Sequence, residues 1–154
     1  MISPDLRELY QQVILDHYKE PRNFHTMDDC NHHAEGHNPL CGDQVDIFLK
    51  VSEGVISDIS FQGNGCAISK SSASLMTAFV KGKSVEQVKS DFEKFHALIM
   101  GENVEDSVRE DLGKLAVLEG VKEFPMRVKC ASLAWHTLIA ALKQEKEKVS
   151  TEEA

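Results

Sequence analysis

Three cysteines stand in settings that suit sulfur and metal chemistry: Cys41 in Asn38-Pro39-Leu40-Cys41-Gly42-Asp43, Cys66 in Gly63-Asn64-Gly65-Cys66-Ala67, and Cys130 in Arg127-Val128-Lys129-Cys130-Ala131. With Asp43 the chain offers four ligands for one metal. Three thiolates and a carboxylate close a tetrahedron around zinc, and the same thiolates, released from the ion, are nucleophiles toward sulfur. Gly42 between Cys41 and Asp43 permits a backbone that turns both side chains to one ion. Cys66 follows two glycines at an expected helix start, where free N–H groups and the positive end of the helix dipole favour a thiolate. Cys130 is read in the same way, at the opening of the last helix with Arg127 and Lys129 close by. All three thiols are therefore expected to deprotonate readily. Oxygen binds zinc less tenaciously than sulfur, so a site with one Asp is expected to exchange a ligand more readily than a four-cysteine structural site. The set also suits ferrous iron, although softness and tetrahedral number favour zinc.

The elements that must position these residues follow from hydrophobic periodicity. Leu6, Leu9, Tyr10, Val13, Ile14 and His17 form one stripe of an amphipathic helix, with Pro4 in its first turn and Pro21 stopping it. Residues His25 to His37 read as a polar loop. Val45, Ile47, Leu49 and Val51 alternate with polar residues, and beyond the Ser52-Glu53-Gly54 turn Ile59 and Phe61 do the same, predicting an antiparallel hairpin. A helix is expected from Cys66 or Ala67 to Gly82, and a second after the Ser84 cap with Val85, Val88, Phe92, Phe95, Leu98 and Ile99 along its stripe. A short helix is expected from about Asp106 to Leu118, and a last one after Pro125 with Cys130, Leu133, Ala134, Thr137, Leu138, Ala141 and Leu142 on one face. Strands grouped early and helices late predict an α+β fold, a small antiparallel sheet packed against helices.

Length and composition narrow the function. The 154 residues, 42% hydrophobic, are enough for a single domain spanning 1–154 with its own core, and 145–154 is expected to be a frayed, expendable tail. No apolar run approaches the length needed to span a bilayer, and the amino terminus lacks a signal-peptide layout, so a cytoplasmic protein is expected. In a reducing compartment four cysteines serve as ligands or catalysts more readily than as disulfide partners. A net charge of -8 argues against nucleic acid, because the basic residues Lys143, Lys146 and Lys148 are interleaved with acids and read as a solvated helix end.

Taken together and in order, the three cysteine motifs resemble the IscU-like iron–sulfur assembly family, also called NifU N-terminal-like. The likeness runs from about the first helix to Leu142. Two features are similar to its SufU branch: Lys129 stands where scaffold-type members place a histidine before the third cysteine, and extra residues fall within Ser84 to Phe124. The resemblance implies an IscU-like fold and a zinc-dependent sulfurtransferase. It implies that Cys41 accepts persulfide sulfur from a PLP-dependent, SufS-like cysteine desulfurase, and that Asp43, Cys66 and Cys130 hold zinc with Cys41 as the resting fourth ligand. It further implies that a histidine of the desulfurase displaces Cys41 from zinc, and that the sulfur passes on to a scaffold complex. Pyridoxal phosphate belongs to the partner.

Other readings of the same residues stay open. A scaffold would assemble an iron–sulfur cluster on the same cysteines with Asp43 as a labile fourth ligand. A purely structural zinc would make the chain an interaction module, against which the carboxylate counts. A cysteine peptidase has no use for three gathered thiols. Cys30 reads as an incidental thiol, although with His25, His32, His33 and His37 it forms a rival ligand set of unfamiliar spacing. Asp43 also suits a turn that bonds its own backbone. Trp135 and His136 read as packing or surface residues.

Overall fold

A computed structural model describes residues 4–143 and 149–151. The chain runs α1 (Pro4–Lys19), β1 (His32–Asn38), β2 (Asp43–Ser52), β3 (Val55–Asn64), α2 (Ala67–Val80), α3 (Val85–Ile99), α4 (Asp106–Leu112), a 3-10 segment (Gly113–Glu123), α5 (Pro125–Leu142) and β4 (Val149–Ser150). The sheet order is β3-β2-β1-β4, with β1, β2 and β3 antiparallel and β4 parallel to β1. This is the expected α+β arrangement. No helix among the described residues is long and apolar enough to cross a membrane.

Glu53 and Gly54 both take positive φ, 51° and 76°, which matches the twist of the β2–β3 hairpin and closes it in two residues. One face of the sheet turns Ala34, Val45, Ile47, Leu49, Ile59 and Phe61 inward, where they join α2 and α5 in one core. Tyr10, Val13 and Ile14 of α1 pack against that core; the side chains of Leu6 and Leu9 lie outside the described residues. Ser84 caps α3 as expected, its hydroxyl accepting from the Gln87 amide at 3.1 Å. Trp135 is fully buried and stacks on Phe95 at 5.3 Å and on Phe92 at 6.0 Å, so α5 and α3 are joined through aromatic packing.

Four expectations change. The polar loop is in part a strand, because β1 points Ala34, Gly36 and Asn38 inward and His33 and Glu35 outward. Its inward residues are small because α5 crosses closely: a Cβ on Gly36 would lie 2.1 Å from Thr137 Oγ1. A strand without large apolar residues has no hydrophobic alternation to read. The helix from Asp106 ends at Leu112, where Gly113 takes φ 56°, and the chain continues as a 3-10 segment to Glu123. Cys130 lies in the second turn of α5, since the helix already begins at Pro125. Part of the expected tail is ordered into the sheet: Val149 and Ser150 pair with Gly36 and His37, and Thr151 is buried. The rest of that tail, 145–148 and 152–154, lies outside the described residues.

One buried and one half-buried imidazole tie stability to pH. His17 on α1 lies 2.7 Å from Ser74 Oγ on α2, and burial holds its pKa below the ordinary 6.5. Burial, and then the neighbouring His96, lower His136 in the same sense. The unfolded chain thus binds these protons more readily than the folded one. The stability they carry is complete above the unfolded value and is lost as pH falls through the lower folded values. Thermal melts of metal-free protein are expected to show Tm falling as the pH drops below about 6.5, and falling less in His17→Gln.

Candidate metal centre

The hairpin between β1 and β2 carries the first two candidate ligands. Asn38 and Asp43 face each other as its last strand pair, leaving Pro39-Leu40-Cys41-Gly42 as the loop. The Cys41 and Gly42 amides both donate to the Asn38 carbonyl, at 3.3 and 2.8 Å, and Gly42 takes φ 74°, a conformation other residues rarely adopt. Cys41 is exposed at the tip while Asp43, in the strand, is fully buried.

The third candidate arrives where β3 gives way to α2. Gly63 and Gly65 are needed because backbone and side chain come too close for a Cβ: one on Gly63 would lie 2.0 Å from the Gln44 carbonyl oxygen, and one on Gly65 would lie 2.8 Å from Asp43 Oδ1. The Cys66 amide donates to Asp43 Oδ1 at 2.9 Å, and Cys66 Sγ caps α2 by accepting from the Ser69 amide at 3.4 Å. Cys130 comes from α5, about two turns before Thr137 on the same helix, and so above the end of β1. Its sulfur is buried and lies 3.6 Å from Cys41 Sγ.

Cys41, Asp43 and Cys130 have their ligand atoms within 4.8 Å of one another. Cys66 stands outside that mutual set but touches it, its Sγ 3.9 Å from Asp43 Oδ2. All four sequence candidates therefore meet at one place. The thiols differ in acidity, contrary to the expectation that each favours deprotonation. The neighbouring Cys130 thiol, assisted by the Ser69 amide and opposed by burial and Asp43, brings Cys66 down to about 6. Cys130 is held well above the ordinary thiol range by its interaction with Cys66, by burial and by the adjacent Asp43. Its place inside a helix, rather than at a free helix start, removes the unbonded N–H groups that would have favoured a thiolate.

The donor set fits a thiophilic divalent cation. Asp43 is a fully buried carboxylate whose hydrogen-bond donors are neutral, the Cys66 amide and the Asn38 side chain, and three sulfurs surround it. Gathering such groups in the interior is costly unless a cation neutralises them. The softness of the sulfurs favours a soft or borderline divalent ion over hard cations.

Asn38 is not among the sequence candidates, yet its buried amide reaches both Cys130 Sγ and Asp43 Oδ2. Its only sequence signal is its place before Pro39 in the cysteine loop. The rival set does not assemble as read. His32 Nδ1 lies 2.9 Å from the Ala141 carbonyl oxygen, His25 Nδ1 lies 2.9 Å from that of Thr26, and His33 instead groups with Glu35 and Asp46 on the solvent face of the sheet. Cys30 belongs to neither ligand group among the described residues.

Comparison with known proteins places this architecture. Residues 9–151 match the family model described as NifU-like N terminal domain. The chain belongs to this NifU-like family. Within it, the chain is 40% identical over 143 residues to the zinc-dependent sulfurtransferase SufU of Bacillus subtilis (strain 168), covering 93% of this chain and 95% of that protein. It is 39% identical over 144 residues to the iron–sulfur cluster assembly scaffold protein IscU of Streptococcus pyogenes serotype M1, covering 94% and 89%. Among solved structures the SUF-system iron–sulfur cluster assembly scaffold protein FiSufU from Fervidobacterium Islandicum AW-1 superposes with a TM-score of 0.80 at 31% identity, covering 88% of this chain and 98% of that one. A NifU-like N-terminal structure from Brucella abortus, 19% identical with a TM-score of 0.77 over 91% of this chain and 97% of that one, shares the NifU-like fold.

Proposed function

We propose that this chain is a zinc-dependent sulfur carrier in iron–sulfur cluster biogenesis, acting in the cytoplasm as a sulfurtransferase with a PLP-dependent cysteine desulfurase of the SufS kind. The carrying observation is the exposure of the cluster: Cys41 is open to solvent, whereas Asp43 and Cys130 are buried and Cys66 is half-buried. Only one sulfur of the group is freely placed for a partner's persulfide. Cys41 is the acceptor, and Asp43, Cys66 and Cys130 would hold zinc, with Cys41 as fourth ligand at rest. The ion, when bound, keeps coordinated sulfurs deprotonated at neutral pH.

In the transfer, the Cys41 thiolate attacks the outer sulfur of the desulfurase persulfide. A new S–S bond forms on Cys41, the partner's S–S bond breaks, and its cysteine departs as a thiolate, so no net oxidation or reduction occurs. Exchange with an acceptor on a downstream scaffold complex repeats the step. Leu40, Phe124 and Met126 adjoin Cys41 and precede Cys130 in the chain, and are 54%, 58% and 47% exposed, which supports docking of a protein partner at this end of the molecule.

A second reading, assembly of an iron–sulfur cluster on the same four residues, is supported by relatives named as IscU scaffolds. Lys129, which stands where scaffold-type members place a histidine, favours the carrier. Native mass spectrometry after anaerobic incubation with desulfurase, cysteine and ferrous iron separates the two. The carrier is expected to retain one zinc and gain sulfur on Cys41. Loss of zinc with gain of iron and sulfide would replace it with the scaffold.

A further inference from the structure

The Asn38 side chain is buried between two ligand-bearing elements, its Nδ2 donating toward Cys130 Sγ at 3.6 Å and toward Asp43 Oδ2 at 3.5 Å. Its other end is fixed by donors. Asn38 Oδ1 accepts from the Leu40 amide at 3.3 Å and from Thr151 Oγ1 at 3.1 Å. Because both of these partners donate, they orient the amide, leaving its nitrogen to face sulfur and carboxylate. Leu40 is a local partner within the loop. Thr151 comes from the far end of the chain, is buried, and is held in place by its own amide donating to the His37 carbonyl at 3.2 Å and by the pairing of β4 with Gly36 and His37.

We propose that Asn38 is a positioning residue of the metal centre and that Thr151 sets its orientation, so that the C-terminal strand helps present Cys130 and Asp43 to a thiophilic divalent cation. This rests on reading the cluster as a metal centre. An amide is nearly symmetric in shape and turns over at little steric cost. Without the Thr151 hydroxyl, one donor remains to oppose a turn that would set Asn38 Oδ1 against the Asp43 carboxylate and the Cys130 sulfur, lone pair against lone pair. A parallel pairing as short as β4 is marginal by itself, so the hydroxyl bond carries a real share of the anchoring.

Full-length Thr151→Val and Thr151→Ser test this, the first removing the hydroxyl at nearly constant shape and the second keeping it. Zinc and cobalt affinities are read by competition with a chromogenic chelator, together with the thiolate-to-cobalt charge-transfer spectrum. Thr151→Val is expected to weaken binding about three- to tenfold, the worth of one hydrogen bond, and to shift the spectrum. Thr151→Ser is expected to stay within about twofold of the wild type. Asn38→Ala is expected to lose about 10- to 100-fold, the scale of a partner that orients a ligand. In metal-free protein, maleimide labelling mapped by peptide mass is expected to rise at Cys130 in Thr151→Val and to stay low in Thr151→Ser. Wild-type affinity, spectrum and labelling in Thr151→Val would overturn the proposal, as would equal losses in the Val and Ser variants. A wild-type protein that takes up neither zinc nor sulfur would remove the functional reading, while the labelling contrast between the two Thr151 variants would still decide whether the hydroxyl orients Asn38.

Discussion

Cys41→Ser is expected to abolish sulfur acceptance, by at least about 10³-fold, the order seen when an essential nucleophile is removed. Cys41 is the exposed sulfur of the cluster, at the tip of a glycine-turned loop, while the sulfur of Cys130 lies 3.6 Å behind it in the interior. A serine hydroxyl is scarcely ionised at neutral pH and is a poor nucleophile for sulfur. The variant keeps Asp43, Cys66 and Cys130, so it is expected to fold and to retain zinc with reduced affinity. Transfer of radiolabelled sulfur from cysteine through a desulfurase, counted on the isolated protein, reads the result. Cys30→Ser is the internal control, since Cys30 belongs to neither ligand group, and is expected to accept sulfur normally. Undiminished transfer to Cys41→Ser would mean that Cys66 or Cys130 is the acceptor, despite their burial.

Asp43→Ala is expected to lower zinc affinity by more than about 100-fold, beyond the range for partners that merely orient a ligand. Asp43 does two things at once. One carboxylate oxygen accepts the Cys66 amide at 2.9 Å and so fixes the entry to α2; the carboxylate also joins the mutual set with Cys41 and Cys130. Removing it takes away a ligand and leaves the Cys66 amide without its acceptor, a loss of about 1–3 kcal/mol where the group is buried. Asp43→Asn separates the two roles, because an amide oxygen still accepts from Cys66 but brings no negative charge to the ion. Its affinity is expected to fall as in Asp43→Ala while its metal-free Tm stays nearer the wild type. Chelator competition and thermal melts read both variants. Zinc binding within tenfold of the wild type in Asp43→Ala would show that the sulfurs hold the ion without the carboxylate.

Both experiments bear on how carriers and scaffolds share one architecture. The relatives include a zinc-dependent sulfurtransferase and iron–sulfur scaffolds at nearly equal identity, 40% and 39%. Overall likeness therefore does not discriminate between the two activities. Lys129, directly before Cys130 and half-buried, stands beside the thiols whose chemistry the two experiments read.

The sequence by itself determined the candidate ligands and the local elements that carry them. Alternation of Val45, Ile47 and Leu49 with polar residues specifies β2, the Glu53-Gly54 pair closes the hairpin, and the glycines before Cys66 mark the change to α2; each is a local preference expressed within a few residues. Tertiary structure decided the rest. Strand β1 could not be read from periodicity, because the close approach of α5 requires Ala34 and Gly36 where a strand ordinarily shows large apolar side chains. The inequality of the thiols arises from the interaction of Cys66 with Cys130, residues far apart in the chain, and from burial, so the helix-start rule that holds for Cys66 fails for Cys130. Asn38 and Thr151 look like ordinary polar residues until the last strand folds back onto β1. What a side chain does there depends on donors and acceptors brought from the other end of the chain, and no local pattern encodes that encounter.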